Sequence, residues 1–162
     1  MEITAKVKIE TTKGDFIVGL YGTEVPVTTA NFLQYVNAGF YSNLLFHRVV
    51  PEFCIQGGGF IAGMFEKKPP FPSIKLEISP NIKHGKYVLS MARTEDKNSA
   101  TSQFFVCNGD DVSELDGEYA AFGIVLEGQS VIDEISAAKT KTVRVFDDVP
   151  EEKIVIKKAS VI

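Results

Sequence analysis

Phe46-His47-Arg48-Val49-Val50-Pro51-Glu52-Phe53-Cys54-Ile55-Gln56-Gly57-Gly58-Gly59-Phe60 is the most informative stretch of this 162-residue chain. Apolar, strand-like runs cover Leu44 to Val50 and Cys54 to Gln56, and Pro51-Glu52 breaks the chain between them. Adjacent residues of a strand face opposite sides, so Arg48 and His47 point apart. On that ground His47 is expected to be a structural hydrogen-bonding residue with no chemical step of its own. The glycines next in the chain match the relaxed G-x-G-x-x-G/A dinucleotide pattern, through Gly57-Gly58-Gly59-Phe60-Ile61-Ala62. Gly63 and the cluster Pro69-Pro70-Phe71-Pro72 come too soon for the helix that would hold a pyrophosphate, so the glycines read as a tight corner of the fold.

On either side of this stretch, strand-like runs recur at Tyr87 to Met91, Gln103 to Cys107 and Ala121 to Leu126. Val7 and Ile9 alternate with charged residues, and Asp15 to Tyr21 returns after Lys13-Gly14 as the second arm of a hairpin. Ile154, Ile156 and Val161 read as a closing strand. Only two segments carry helical spacing. Pro26 to Ala38 places Phe32, Leu33 and Val36 on one face with Gly39 to end it, and Val131, Ile132, Ile135 and Ala138 come after Gly128. Residues 60–85 read as mainly irregular surface, long enough to be functional. Many short strands with two helices point to a mainly β fold, a closed barrel or a sandwich, and closure removes exposed sheet edges.

Composition narrows the function classes. The length fits one compact domain, residues 1–162, with 44% hydrophobic residues to fill a core. Seventeen Lys and Arg against 21 Asp and Glu leave a net charge of −4, which argues against a nucleic-acid partner. The sequence holds no apolar run of membrane-spanning length, and its first residues form no signal-like segment. Cys54 and Cys107 are too few for a disulfide framework, so a soluble protein of the reducing cytoplasm is expected. His47 and His84 are the only histidines, no G-x-S-x-G elbow is present, and the Cys and His spacings form no local zinc-binding pair. Nucleophilic hydrolysis and metal chemistry are both disfavoured.

The opening stretch closely resembles the F-H-R-x-x-P-x-F-x-x-Q-G-G-x-F signature of cyclophilins. The resemblance continues in family order through Leu89-Ser90-Met91-Ala92-Arg93, Ser99-Ala100-Thr101-Ser102-Gln103-Phe104-Phe105-Val106 and Leu115-Asp116-Gly117-Glu118-Tyr119-Ala120-Ala121-Phe122-Gly123. Pro26-Val27-Thr28-Thr29-Ala30-Asn31-Phe32 is similar to the start of the family's first helix, and the short Gly39 to Phe46 connection is similar to that of prokaryotic members. The resemblance implies a closed eight-stranded antiparallel β-barrel capped by two α-helices. It also implies peptidyl-prolyl cis/trans isomerase activity on proline-containing peptides and on unfolded or flexible protein segments. No cofactor or metal is implied, and a monomer is expected. By position, Arg48 matches the catalytic arginine, while Phe53, Cys54, Gln56, Ala92, Arg93, Gln103, Phe105, Leu115 and Tyr119 match the substrate groove. A proline-peptide adaptor that needs no turnover is the alternative; a small-ligand barrel would have no reason to keep Arg48 and Gln56 at these spacings.

Three positions depart from the family pattern. Cys54 stands in place of the usual methionine, Glu52 in place of glycine, and Glu114 in place of an aromatic residue, often tryptophan, that helps relatives bind cyclosporin. If Glu52 and Glu114 both lie at the groove rim, they favour basic residues beside the proline. Glu114 lacks the indole donor and its apolar area, so cyclosporin is expected to bind weakly. An inhibition titration checks this, and sub-micromolar inhibition would contradict it.

Overall fold

A computed structural model describes residues Met1–Ile162. The chain opens with the hairpin β1 (Ala5–Thr11) and β2 (Gly14–Leu20), followed by α1 (Pro26–Asn37), β3 (Leu44–Val50) and β4 (Cys54–Gly57). A small hairpin comes next, β5 (Phe60–Ile61) and β6 (Phe65–Glu66). Then come β7 (Val88–Met91), β8 (Phe104–Cys107), a short 3-10 turn at Ser113–Leu115, β9 (Ala121–Glu127) and α2 (Gln129–Ser136). A second hairpin, β10 (Thr140–Val143) and β11 (Phe146–Pro150), precedes the closing strand β12 (Val155–Val161). Eight strands form a closed barrel in the order β1-β12-β3-β4-β8-β7-β9-β2, every neighbouring pair antiparallel. The barrel and its two helices stand where the sequence placed them.

Inward-facing residues alternate with outward ones and fill the barrel. Val7, Ile9, Phe16, Val18, Leu20, Ile55, Leu89, Phe104, Val106 and Phe122 are all buried. The helices close opposite mouths, which the hairpin β1–β2 makes visible. A Cβ at Gly14, where β2 begins, would meet Val131 of α2, while one at Gly22, just past its end, would approach Thr29 of α1. From α1, Phe32 sets its ring against Phe104 and Phe122 at centroid distances of 5.5 and 5.2 Å. From α2, Ile132 and Ile135 are buried at the other end. Such edge and tilted aromatic contacts add roughly 0.5–1.5 kcal/mol each beyond the area they bury.

Two hairpins were not legible in the sequence. The β5–β6 pair falls in the segment expected to be irregular, and its strands have two residues each. The β10–β11 pair escapes because its short strands mix polar and apolar residues without a sustained apolar run, with the left-handed Arg144 (φ 53°) at the turn. The rest of residues 60–85 has no regular structure but is tied down as a strap across α1. The Tyr35 hydroxyl donates to the Phe71 carbonyl (3.4 Å), the Ile74 N–H to the Ala100 carbonyl (3.0 Å) and the Leu76 N–H to Asn98 Oδ1 (3.0 Å).

The strap also caps the helix. Val25 offers α1 no side-chain cap and Pro26 has no N–H to satisfy, so the next free donors need an outside acceptor. Glu77 provides it, its carboxylate accepting from the N–H groups of Thr28 (2.8 Å) and Val27 (3.3 Å). An anion at this end of a helix is also favoured by the backbone dipoles. Replacing Glu77 with alanine is expected to lower stability by about 1 kcal/mol, measured as a lower urea midpoint with unchanged slope. An unchanged midpoint would contradict the cap.

Candidate active site

Strand register brings three distant residues into one row. Arg48 of β3 lies opposite Gln56 of β4, and Gln56 lies opposite Phe105 of β8. Their neighbours Val49, Ile55 and Val106 are buried in the core, so this row faces the outside of the barrel. Phe53 comes from the β3–β4 turn, Ala92 and Arg93 from the end of β7, and Leu115 and Tyr119 from the 3-10 turn and the residues after it. Together with Cys54, these nine residues line one cavity of about 190 Å³. Gln103, the tenth residue expected at the site, lies in an adjoining cavity of about 470 Å³ that also touches Gln56, Ala92 and Arg93.

Arg48 is oriented but not neutralised. One Nη1 donates to Gln56 Oε1 (3.4 Å) and approaches Cys54 Sγ (3.6 Å), while the guanidinium carbon lies 5.8 Å from the Phe53 ring centroid. Gln56 Nε2 donates in turn to Gln103 Oε1 (3.0 Å), so a chain of two amides steadies the guanidinium. No carboxylate lies within ion-pair distance of Arg48. Its remaining N–H donors make no hydrogen bond to protein. Arg93 differs: Nε and Nη2 donate to the Glu118 carbonyl (3.0 and 2.8 Å), Nη1 donates to the Thr94 carbonyl (2.9 Å), and the guanidinium covers the Tyr119 ring at 4.5 Å. It braces the cavity wall.

The rest of the cavity is apolar. Phe105 and Tyr119 meet edge to face at 5.7 Å, with Ala92 and Leu115 completing the wall. Burial pushes the Cys54 thiol up to about 11 against the opposing pull of Arg48, and burial raises Cys107 to about 12. Both thiols therefore stay protonated and act as packing groups. The triple glycine serves the site directly, since a Cβ at Gly59 would meet the Gln103 side chain at 2.5 Å. The glycines lead into the hairpin β5–β6, not into the helix a dinucleotide would need.

One expectation is corrected. His47 is not a hydrogen-bonding residue through Nδ1, which is buried and has no partner. A register shift between Phe46 and Arg48 accompanies its placement, and the ring packs on Phe60 at 4.5 Å. Neither Glu52 nor Glu114 lines the cavity; Glu52, at φ 59° in its turn, faces a separate depression beside Lys86 and Asp133. No local pattern groups His84, Ser90 and Asp116, which hydrogen-bond behind Phe105. A cavity of about 240 Å³ lies under the β10–β11 hairpin, but its charged residues Lys141, Glu151 and Lys153 are exposed. Size alone does not single out the candidate site; it is distinguished by an uncompensated guanidinium beside an apolar pocket.

Residues 6–161 match the family model described as cyclophilin type peptidyl-prolyl cis-trans isomerase/CLD. The chain is 41% identical over 160 residues to peptidyl-prolyl cis-trans isomerase A of Dickeya dadantii, covering 96% of this chain and 84% of that one. It is 38% identical over 162 residues to peptidyl-prolyl cis-trans isomerase B of Escherichia coli, covering 96% and 98%. Among solved structures, a cyclophilin type isomerase of Cryptosporidium parvum superposes with a TM-score of 0.82 at 27% identity, covering 98% of this chain and 97% of that one.

Burial first, and the Arg48 charge second, lower the His47 pKa from 6.5 to about 4. The unfolded chain binds that proton at the higher pH. The neutral imidazole's contribution is therefore complete above about 6.5 and is lost as pH falls toward about 4, amounting to roughly 3 kcal/mol at most. A His47→Gln variant is expected to lose less stability than the parent across this interval in urea titrations. Identical slopes would contradict the assignment.

Proposed function

The chain belongs to the cyclophilin-type peptidyl-prolyl cis-trans isomerases, and from that premise we propose that Arg48 catalyses X-Pro rotation while the cavity beside it holds the proline ring. The protein's reaction makes and breaks no covalent bond. Rotation must overcome amide resonance, a barrier of ~18–20 kcal/mol, and unaided it takes tens of seconds. As the bond twists, the proline nitrogen becomes pyramidal and gains a localised lone pair. A fixed cationic donor at that nitrogen stabilises the twisted state more than either planar state. Arg48 suits this task because guanidinium stays charged and its free donors face no competing carboxylate. A rate gain of ~10⁵ corresponds to roughly 7 kcal/mol of selective stabilisation.

Gln56 acts by orientation. Its oxygen is engaged by Arg48 and its amide N–H by Gln103. Phe53, Phe105, Leu115 and Tyr119 grip the pyrrolidine ring, so the preceding residue swings while the proline stays fixed. One support comes from the Cryptosporidium parvum relative, which has also been solved in the presence of the dipeptide Ala-Pro. The single observation that carries the reading is the unpaired guanidinium at the rim of an apolar pocket.

Unfolded or flexible protein segments are the substrates we assign, with a folding-assistance role in the cytoplasm. The two free, buried thiols fit a reducing compartment. Closure of the barrel leaves no main-sheet edge to recruit another copy, which fits a monomer. No helix is long and apolar enough to cross a membrane. A net charge of −4 favours peptide over nucleic-acid partners.

Refolding of a protein limited by X-Pro isomerisation separates turnover from mere binding. At substoichiometric concentration the wild type is expected to accelerate the slow phase. Arg48→Ala, confirmed folded, is expected to lose about tenfold or more, or ~1.4 kcal/mol. Equal acceleration by both would remove Arg48 from the chemistry, and none by folded wild type would favour the adaptor.

A further inference from the structure

We propose that His84 is a positioning residue, joining Asp116 to Ser90 so that the Leu115–Tyr119 wall of the proline pocket is held against Phe105. The inference rests on the proline-pocket reading and adds a residue that touches no substrate. Asp116 is next to Leu115 in the chain, and its Oδ1 accepts from the His84 backbone N–H at 2.7 Å and lies 2.8 Å from the ring Nδ1. The other ring nitrogen, Nε2, lies 2.8 Å from Ser90 Oγ on β7. Ser90 is the register partner of Phe105 on β8, and the His84 ring lies nearly parallel to the Phe105 ring at 6.3 Å and 16°. One side chain thus contacts both faces of the pocket's construction from behind.

The tautomer is set by the partners. A carboxylate only accepts, so Nδ1 carries the proton; Nε2 then accepts from the Ser90 hydroxyl. Burial lowers the His84 pKa against the opposing pull of Asp116 and then Glu114, consistent with a neutral ring. The connectivity is that of a nucleophilic triad, but Ser90 is 0% exposed and cannot meet a substrate. Its use is mechanical. The backbone N–H groups of Glu118 and Tyr119 both donate to the Leu115 carbonyl (3.1 Å each), making this wall a single turn. Arg93 clips the far side of that turn to the end of β7 through Glu118, and His84 clips the near side through Asp116.

Two histidine replacements separate the two bonds. Asn places its amide where Nδ1 stands and can keep the Asp116 contact, whereas Gln reaches toward Ser90 and gives that contact up. Kinetics on an Ala-Pro peptide are expected to show KM raised about fivefold or more, with kcat within about twofold, in both His84→Gln and Asp116→Ala. His84→Asn, which cuts the link at Ser90, should raise KM in the same way, and the ¹⁵N spectrum of wild type should show a protonated Nδ1 and a bare Nε2. Unchanged KM in either folded histidine variant, or an unprotonated Nδ1 in that spectrum, would overturn the proposal. Leu115→Ala serves as the direct wall variant: a raised KM there with silent His84→Gln overturns only the positioning role, while a silent Leu115→Ala overturns the pocket reading as well.

Discussion

Everything at the site depends on the register of β3 against β4 and of β4 against β8, which sets Arg48, Gln56 and Phe105 side by side on the barrel's outer wall. Side chains alternate with period two, so a slip of one residue would turn Arg48 into the core and bring Val49 to the surface. Burial of Val49, Ile55 and Val106 on the inner face enforces the observed register. The hydrophobic core therefore does more than stabilise the fold. It decides which way a guanidinium points, and closure of the barrel holds that choice from both sides.

With the row fixed, the chemistry asks little of the protein. Twisting an imide requires no nucleophile, and the chain's buried thiols and neutral histidines supply none. It does require a charge held still beside an apolar seat. A mobile arginine would have to be ordered in the transition state, whereas the Gln103–Gln56–Arg48 chain orders it beforehand. The absence of a carboxylate partner leaves that charge available. Arg93 illustrates the contrast, since its donors are spent on main-chain carbonyls.

The parts of this arrangement that were legible in the sequence are those set by local pattern. Alternation marked the first strand and apolar runs the central barrel strands, helical spacing with Pro26 marked α1, and a contiguous signature carried Arg48, Phe53 and Gln56. Long-range hydrogen bonds left no such trace. Glu77 caps a helix from 49 residues away, and Asp116 meets His84 across 32, with nothing in either local sequence to show it. Strand alternation could not foresee the register shift at His47 or the Phe60 ring it packs on. Ser90, a lone hydroxyl within the apolar run Val88 to Met91, was the one clue to the network behind Phe105.

The most direct test of the account is to measure binding and exchange together, titrating an Ala-Pro peptide into wild type and Arg48→Ala and following both by NMR. If Arg48 acts on the twisted bond, the two proteins should bind the planar peptide with dissociation constants within about threefold, while catalysed exchange falls about tenfold or more in the variant. Loss of affinity equal to the loss of exchange would mean that Arg48 only holds the ground state, and would contradict the mechanism.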